Sequence, residues 1–499
     1  MKFKIEVKRT CIIINDYNLG DCPNVEKFFR IFDMYSYIYM GMIYNSETLQ
    51  LILPRGIDVP FLEEQFGCRA YYDNRIDNCI DIEPIRLKYP PRNEKQAEVV
   101  NFLTGNGKYY WNRDYSQYLL ALDTGSGKTY LGIFYIAYLL KTTIIITASV
   151  EWLKQWRDRL LEHTDISHKK IFFIKGTPSI VNLLSKQNYY SVYLVTHSTI
   201  LNYANNCGWD KVRYLFSHLG IGLKIFDEAH LNSENMYNID LNTSTYKTLY
   251  LTATPARGDD NENNIFKRYF KNIPKISLFD PDKDPHTRYV AIKYNSGMST
   301  LDIDSCMTMH GFNKMVYCDK VIELDNFKKI CYIIFDILSS IPGKKLVFLS
   351  TNDSILRFKS FIELNFPEYI GNIGVYTSIN PNKFEALNNP IILTTSKSAG
   401  AAVDIAGLTC SVQLAEPIKS EPQNKQRFGR TRGYNTLYID VIDSSLSILR
   451  KYYERNLPMF EKYATNVSEV NFTNVNRLND TFNSIMIKRN GGINPFMKL

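Results

Sequence analysis

The chain's 499 residues leave room for about three domains at roughly 150 residues each, and an apolar share of 45% is ample for several buried cores. Lys plus Arg (59) exceed Asp plus Glu (51), an excess of the sign expected of a protein that rides on polyanions. Nine scattered cysteines without a close C-x-x-C pair exclude a zinc ribbon or disulfide framework, and neither a signal peptide nor a membrane span is legible, so a cytoplasmic location is expected.

Residues 1–86 read as a small α+β module. Phe3, Ile5 and Val7 alternate with Lys2, Lys4 and Glu6, and Ile12–Ile14 follow a short polar turn, which predicts a strand pair. VEKFFRIF (25–32) predicts a short amphipathic helix, LQLIL (49–53) another strand, and DVPFLEEQFG (58–67) a helix closed by Gly67. The proline-containing DIEPIRLKYPPR (81–92) reads as the exit linker. From 87 to 282, apolar runs alternate with helical stretches: YLLAL (118–122), TIIITA (143–148), VYLVT (192–196), LKIFDE (223–228) and TLYLTA (248–253). A second block, 283–450, repeats the pattern with KLVFLS (345–350), IGVYT (373–377), PIILTT (390–395), SVQLA (411–415) and LYIDVI (437–442). Buried parallel strands with helical crossovers look like this, so an α/β fold is predicted for both blocks. The final stretch, 451–499, is rich in Asn and Tyr and reads only as a C-terminal extension.

The strand YLLAL runs directly into DTGSGKTY (123–130) and then a helical stretch. Glycines at 125 and 127 let the backbone turn tightly so that the N–H groups of Thr124, Gly125, Ser126 and Gly127 can face phosphate oxygens, helped by the following helix N-terminus. Lys128 is placed to reach the β/γ-phosphates and Thr129 to bind magnesium, so ATP and Mg²⁺ are the expected cofactors. The first glycine of the general loop pattern is absent, with Leu122 in its place. Farther on, IFDEAH (225–230) ends an apolar strand in two carboxylates, Asp227 suited to hold the metal and Glu228 to polarise the attacking water. His230 is read as coupling this site to its neighbours.

These motifs resemble superfamily 2 helicases and translocases with a DEAH-type second motif, and the rest of the set appears in order. Gln96, in RNEKQ, sits where such proteins place the adenine-reading glutamine; TASVEWLKQW (147–156) resembles motif Ia and VTHSTI (195–200) the next strand-end motif. LTATPAR (251–257) matches motif III, whose Thr252 and Thr254 link nucleotide state to nucleic-acid grip. VFLS (347–350) resembles motif IV, SKSAGAAVDI (396–405) motif V with Asp404 in register, and QRFGRTRG (426–433) motif VI, opening on Gln426. The resemblance implies two tandem RecA-like domains with ATP in the cleft between them and an arginine donated by the second. The motif's second arginine is expected at 433, where Gly433 stands; Arg430 is therefore the firmer candidate finger and Arg432 a partner one residue early. Leu122, SKSAGAAVDIAGL and LTATPARGDD resemble the group containing XPB and the phage branched-DNA helicase UvsW, although Gly258 replaces an acidic residue of the group's form. The first module resembles, less specifically, the small DNA-binding domain preceding the phage motor.

The resemblance implies a monomeric ATP-dependent DNA helicase or translocase acting on branched, forked or single-stranded DNA in recombination, repair or replication. The alternatives are an RNA helicase acting on RNA or RNA–DNA hybrids, the motor subunit of a restriction complex, and a non-hydrolysing clamp or annealing protein. Backbone contacts are expected from hydroxyl-bearing strand ends, Thr147, Ser149, Thr196, Thr351 and Thr395, each equally readable as a helix N-cap. His197 is a further surface candidate. Trp152 and Trp156, on one helix face, read as packing.

Overall fold

The computed structural model describes residues 3–33, 36–73, 75, 79–110, 114–122, 125–185, 189–231, 233–253, 260–278, 287–308, 311–399, 405–431 and 435–489. The chain divides into two compact units, Met1–Pro281 and Asp282–Leu499.

The first unit opens with a five-stranded sheet in the order Ile43–Asn45, Gln50–Pro54, Cys11–Asn15, Lys4–Val7, Ala70–Tyr72. Its pairs are antiparallel except the last. Gly67, at φ +61°, ends the helix Val59–Phe66 as its sequence predicts. The helix expected over 25–32 does not form. A short helix stops at Glu26, and Arg30–Asp33 instead pairs antiparallel with Ser36–Tyr39. The apolar residues of this run serve tertiary contacts rather than one helical face: Val25 and Phe29 enter the core while Phe28 lies against Phe61. A continuous apolar cluster runs from Ile5 and Leu53 of this sheet through Tyr269 to Phe226 of the next, so the module and the following layer share a core.

The second layer is a seven-stranded, all-parallel sheet: Ile171–Phe173, Val192–Thr196, Thr143–Thr147, Leu223–Phe226, Lys247–Thr252, Gln117–Leu122, Lys275–Leu278. The five strands read from the sequence occupy its centre, and Ile171–Phe173 and Lys275–Leu278 are added at its edges. Because every strand runs the same way, all their C-terminal ends open onto one edge, where ligands of such sheets bind.

The second unit holds another seven-stranded parallel sheet: Ile373–Tyr376, Ile391–Thr394, Lys344–Leu349, Leu408–Ala415, Thr436–Asp443, Thr287–Tyr294, Asn466–Phe472. The chain after residue 450 contributes the last strand, pairing with Thr287–Tyr294, and a helix, Val475–Arg489, that packs on Asp325–Ser339 through Phe482 and Tyr332. Both units are tandem RecA-like layers, preceded by the small α+β sheet. No helix among the described residues is long and apolar enough to cross a membrane.

Candidate active site

The strand Gln117–Leu122 delivers the chain to the phosphate loop, and the helix Lys128–Leu139 leaves it. Gly125 and Gly127 have φ of +82° and +89°, the left-handed region that side-chain-bearing residues avoid. Gly127 caps the helix and has no side chain of its own to take the first-turn N–H groups that a phosphate would occupy. Gln96, in the helix Glu94–Thr104, braces the loop: its amide accepts from Arg92 N (2.8 Å) and donates to Ser126 O (2.8 Å). Arg92 adds a bond from Nη2 to the Gly125 carbonyl, 2.7 Å, a contact not legible in the motif.

Lys128 is 9% exposed, its Nζ donating to the Leu122 carbonyl (3.2 Å) and lying 3.8 Å from Glu228 Oε1. Motif II reaches it from a strand two places away, across Lys247–Thr252. Glu228 sits at φ +49°, a strained conformation for a residue with a side chain, of the kind found where a turn must aim a functional group. Its Oε2 accepts from Ala253 N (3.2 Å) and meets His230 Nδ1 at 3.2 Å. His230 Nδ1 is also 2.9 Å from Thr252 Oγ1, so motif II and motif III are joined through one imidazole.

The two carboxylates are driven apart electrostatically. Burial, then the neighbouring Glu228 charge, raise the Asp227 carboxyl above its ordinary range, against a bond from Trp156 and the charge of Lys128. Burial also works to raise Glu228, but Lys128 and His230 outweigh it and hold it low. Asp227 Oδ2 accepts from Trp156 Nε1 at 2.7 Å, and Oδ1 from Glu228 N at 3.0 Å. Trp156 is 1% exposed and packs as its sequence position predicts, yet its indole also fixes the metal-candidate carboxylate. That second role is invisible in the helical spacing. The donor set suits a nucleotide with a divalent cation: a buried lysine, a buried Glu228 beside a half-buried Asp227, and a loop that offers backbone N–H groups. Thr129, half-buried in the first turn of the helix, shares this edge with Asp227.

The hydroxyl candidates lie at strand ends but are turned inward. Thr147, Thr196, Thr351 and Thr395 are all buried. Thr147 Oγ1 donates to the Ser149 carbonyl, while Thr196, Thr351 and Thr395 accept from the backbone N–H groups of Thr199, Ser354 and Ser398. In this structure the N-cap reading applies to Thr196, Thr351 and Thr395, while Thr147 braces the loop that follows its strand. Ser149, half-buried, likewise caps the helix Val150–His163 by accepting from Trp152 N at 3.4 Å. His197, expected at the surface, lies buried. It is 2% exposed, stacked on Phe226 at 6.1 Å, and desolvation pushes its pKa down to about 4.

In the second unit the helix Glu421–Phe428 carries motif VI, with Gln426 within it and Arg430 half-buried just beyond its end. The neighbouring Arg427 is buried, its guanidinium 4.4 Å over the Phe348 ring and 3.1 Å from Glu416 Oε2. Thr124, Thr254, Asp404 and Arg432 lie outside the described residues, as does the Gln426 side chain.

With this geometry in hand, comparisons with known proteins converge. Residues 88–257 match the family model described as Type III restriction enzyme, res subunit. The XPB helicase/translocase subunit of the general transcription and DNA repair factor IIH from Encephalitozoon cuniculi is 25% identical over 415 residues, covering 78% of this chain and 56% of that protein. The DNA 3'-5' helicase XPB of Mycobacterium tuberculosis is 24% identical over 330 residues, covering 62% and 54%. The resemblance is to the ATP-hydrolysing superfamily 2 helicases of the XPB type. The chain spans about half the length of these relatives. Among solved structures, Saccharomyces cerevisiae Dbp5 bound to RNA and ADP BeF3 superposes with a TM-score of 0.52 at 12% identity, covering 79% of this chain and 93% of that one, a likeness of fold.

Proposed function

We propose that this protein is an ATP-dependent DNA helicase or translocase that moves on, unwinds or remodels branched DNA. The observation that carries the reading is the convergence of Lys128, Asp227 and Glu228 on one sheet edge, joined through His230 to Thr252. Nucleotide hydrolysis needs charge neutralised at the phosphates and a water activated beside them. Lys128 supplies the first, with the loop N–H groups of residues 125–127 and Thr124. Glu228, kept ionised by Lys128, is suited to orient and polarise water. Asp227 and Thr129 would hold Mg²⁺, which would supply positive charge to offset that of the phosphates. His230 and Thr252 give that site a mechanical link to motif III, a coupling in which Thr254 is proposed to share.

Arg430 is proposed as the finger that stabilises charge on the transferred phosphoryl group, with Gln426, Arg432 and Asp404 supporting nucleotide contacts. Residues 87–282 and 283–450 are assigned to the motor and 1–86 to DNA binding, while the strand Asn466–Phe472 of the extension 451–499 completes the second sheet. Backbone-dominated binding implies weak sequence preference and strong salt dependence.

The test is ATP turnover by wild type and Lys128→Ala across single-stranded, duplex, forked and four-way DNA and single-stranded RNA. Stimulation is expected to be greatest with branched DNA, and Lys128→Ala is expected to abolish it. Stimulation by RNA alone would overturn the DNA assignment, and equal turnover by the two proteins would overturn the site.

A further inference from the structure

The second unit buries a carboxylate that no motif reading assigns. Glu416 follows the strand Leu408–Ala415 and is 2% exposed. Its Oε2 accepts from Ser396 N at 3.0 Å and lies 3.1 Å from Arg427 Nη2, while Oε1 lies 2.9 Å from Lys314 Nζ. Ser396 opens motif V and Arg427 lies inside motif VI, so one side chain holds the start of one motif to the helix of the other. Arg427 is in turn one hydrogen bond from the candidate finger, because Arg430 N donates to the Arg427 carbonyl at 3.1 Å. The Phe348 ring under Arg427 completes a fixed seat.

We infer that Glu416 is a positioning residue for ATP turnover, setting where Arg430 is presented and locking motif V to motif VI. The carboxylate is suited to the task on physical grounds. Its three partners are all donors, two of them cationic, and only an anion accepts from all three at once. A buried guanidinium that lost this acceptor would re-seat, and the helix it anchors would shift with it. Catalytic groups displaced by about 1 Å lose on the order of 10²-fold in rate.

The inference rests on Arg430 being the finger, and the experiment separates the two. ATP turnover is measured for wild type, Glu416→Gln, Arg430→Ala and the double variant, using single-turnover hydrolysis of labelled ATP where rates are low. Glu416→Gln keeps the side chain's size but points an amide donor at donors. Expected is a kcat loss of about 10- to 100-fold with the ATP KM within about twofold, and a thermal midpoint that still reports a folded protein. Arg430→Ala is expected to lose about 10³-fold, and the double variant to match it, because Glu416 acts through that arginine. Wild-type kcat in Glu416→Gln beside an inactive Arg430→Ala overturns the inference alone. Losses that multiply in the double variant also overturn it, since they mark a general structural role. Full turnover by Arg430→Ala overturns the finger and the inference together. Should Glu416→Gln fail to fold, Glu416→Asp keeps the charge but draws the oxygens back by one bond; a several-fold kcat loss supports the inference, and wild-type kcat overturns it.

Discussion

Trp156→Phe isolates a single hydrogen bond at the centre of the proposed metal site. The change deletes the indole N–H that donates to Asp227 Oδ2 at 2.7 Å and leaves an aromatic ring in place. The ring's seat is specific: a Cβ added at Gly132 would come within 2.6 Å of Trp156 Cη2, so the indole fills the space that the glycine leaves. A hydrogen bond to a charged group contributes about 1.5–3 kcal/mol, and 1.4 kcal/mol is about a factor of ten. Losing the bond removes part of what favours the ionised carboxylate against burial and the Glu228 charge. The Mg²⁺ half-saturation concentration for ATP turnover should therefore rise roughly 10- to 100-fold, the range for groups that orient metal ligands. Saturating Mg²⁺ should restore most of kcat. The smaller ring also leaves a void, for which a stability loss of about 1–3 kcal/mol is expected by urea denaturation. Magnesium titrations of turnover at fixed ATP check the argument. An unchanged half-saturation with a folded variant would refute it, whatever happened to stability.

Gly127→Ala should reduce nucleotide affinity at least about tenfold, because an L-residue in the left-handed region costs roughly 1–2 kcal/mol and its Cβ would lie 2.2 Å from Gln96 Nε2. A fluorescent-nucleotide titration reads this directly, and wild-type affinity would contradict the loop geometry. Lys224→Met should destabilise by about 3–5 kcal/mol, since Lys224 and Asp240 are fully buried 2.8 Å apart and the variant removes the charge that balances Asp240, leaving it the hydroxyls of Tyr250 and Tyr269. Urea denaturation monitored by fluorescence measures it, and a loss under 1 kcal/mol (well below that ~3 kcal/mol floor) would mean the aspartate finds other compensation. His197 gives a pH dependence. Its folded pKa of about 4 lies below the unfolded value of 6.5, so its contribution is complete above pH 6.5 and is lost as pH falls towards 4. By pH 5 wild type should have lost about 2 kcal/mol more than His197→Phe, and parallel urea curves at pH 7.5 and 5 would show no such divergence if the imidazole were solvated.

Much of the candidate site is legible in sequence because its chemistry is local. A glycine-rich turn between strand and helix, and a carboxylate pair ending a strand, specify their own backbone. The five central strands of the first parallel sheet are equally readable, since burial on both faces forces continuous apolar runs such as TIIIT and VYLVT. Edge strands are not. Lys275–Leu278 and Asn466–Phe472 are short or mostly polar, and only pairing with a strand far away in the chain makes them strands. The run 25–32 fails as a helix for a related reason: its spacing fits one face, but its aromatic side chains find different partners once the chain is folded.

The sequence by itself determined the candidate nucleotide site, because the residues proposed to form it lie in short contiguous motifs. Tertiary structure alone decided which side chains hold those motifs in place. Trp156 is 71 residues from Asp227, and Glu416 is 20 from Ser396, separations over which no periodicity carries information. It also decided that Thr147, Thr196, Thr351, Thr395 and His197 turn inward. A hydroxyl at a strand end looks the same in sequence whether it faces a ligand or the first turn of the next helix; in this structure Thr196, Thr351 and Thr395 accept from first-turn N–H groups.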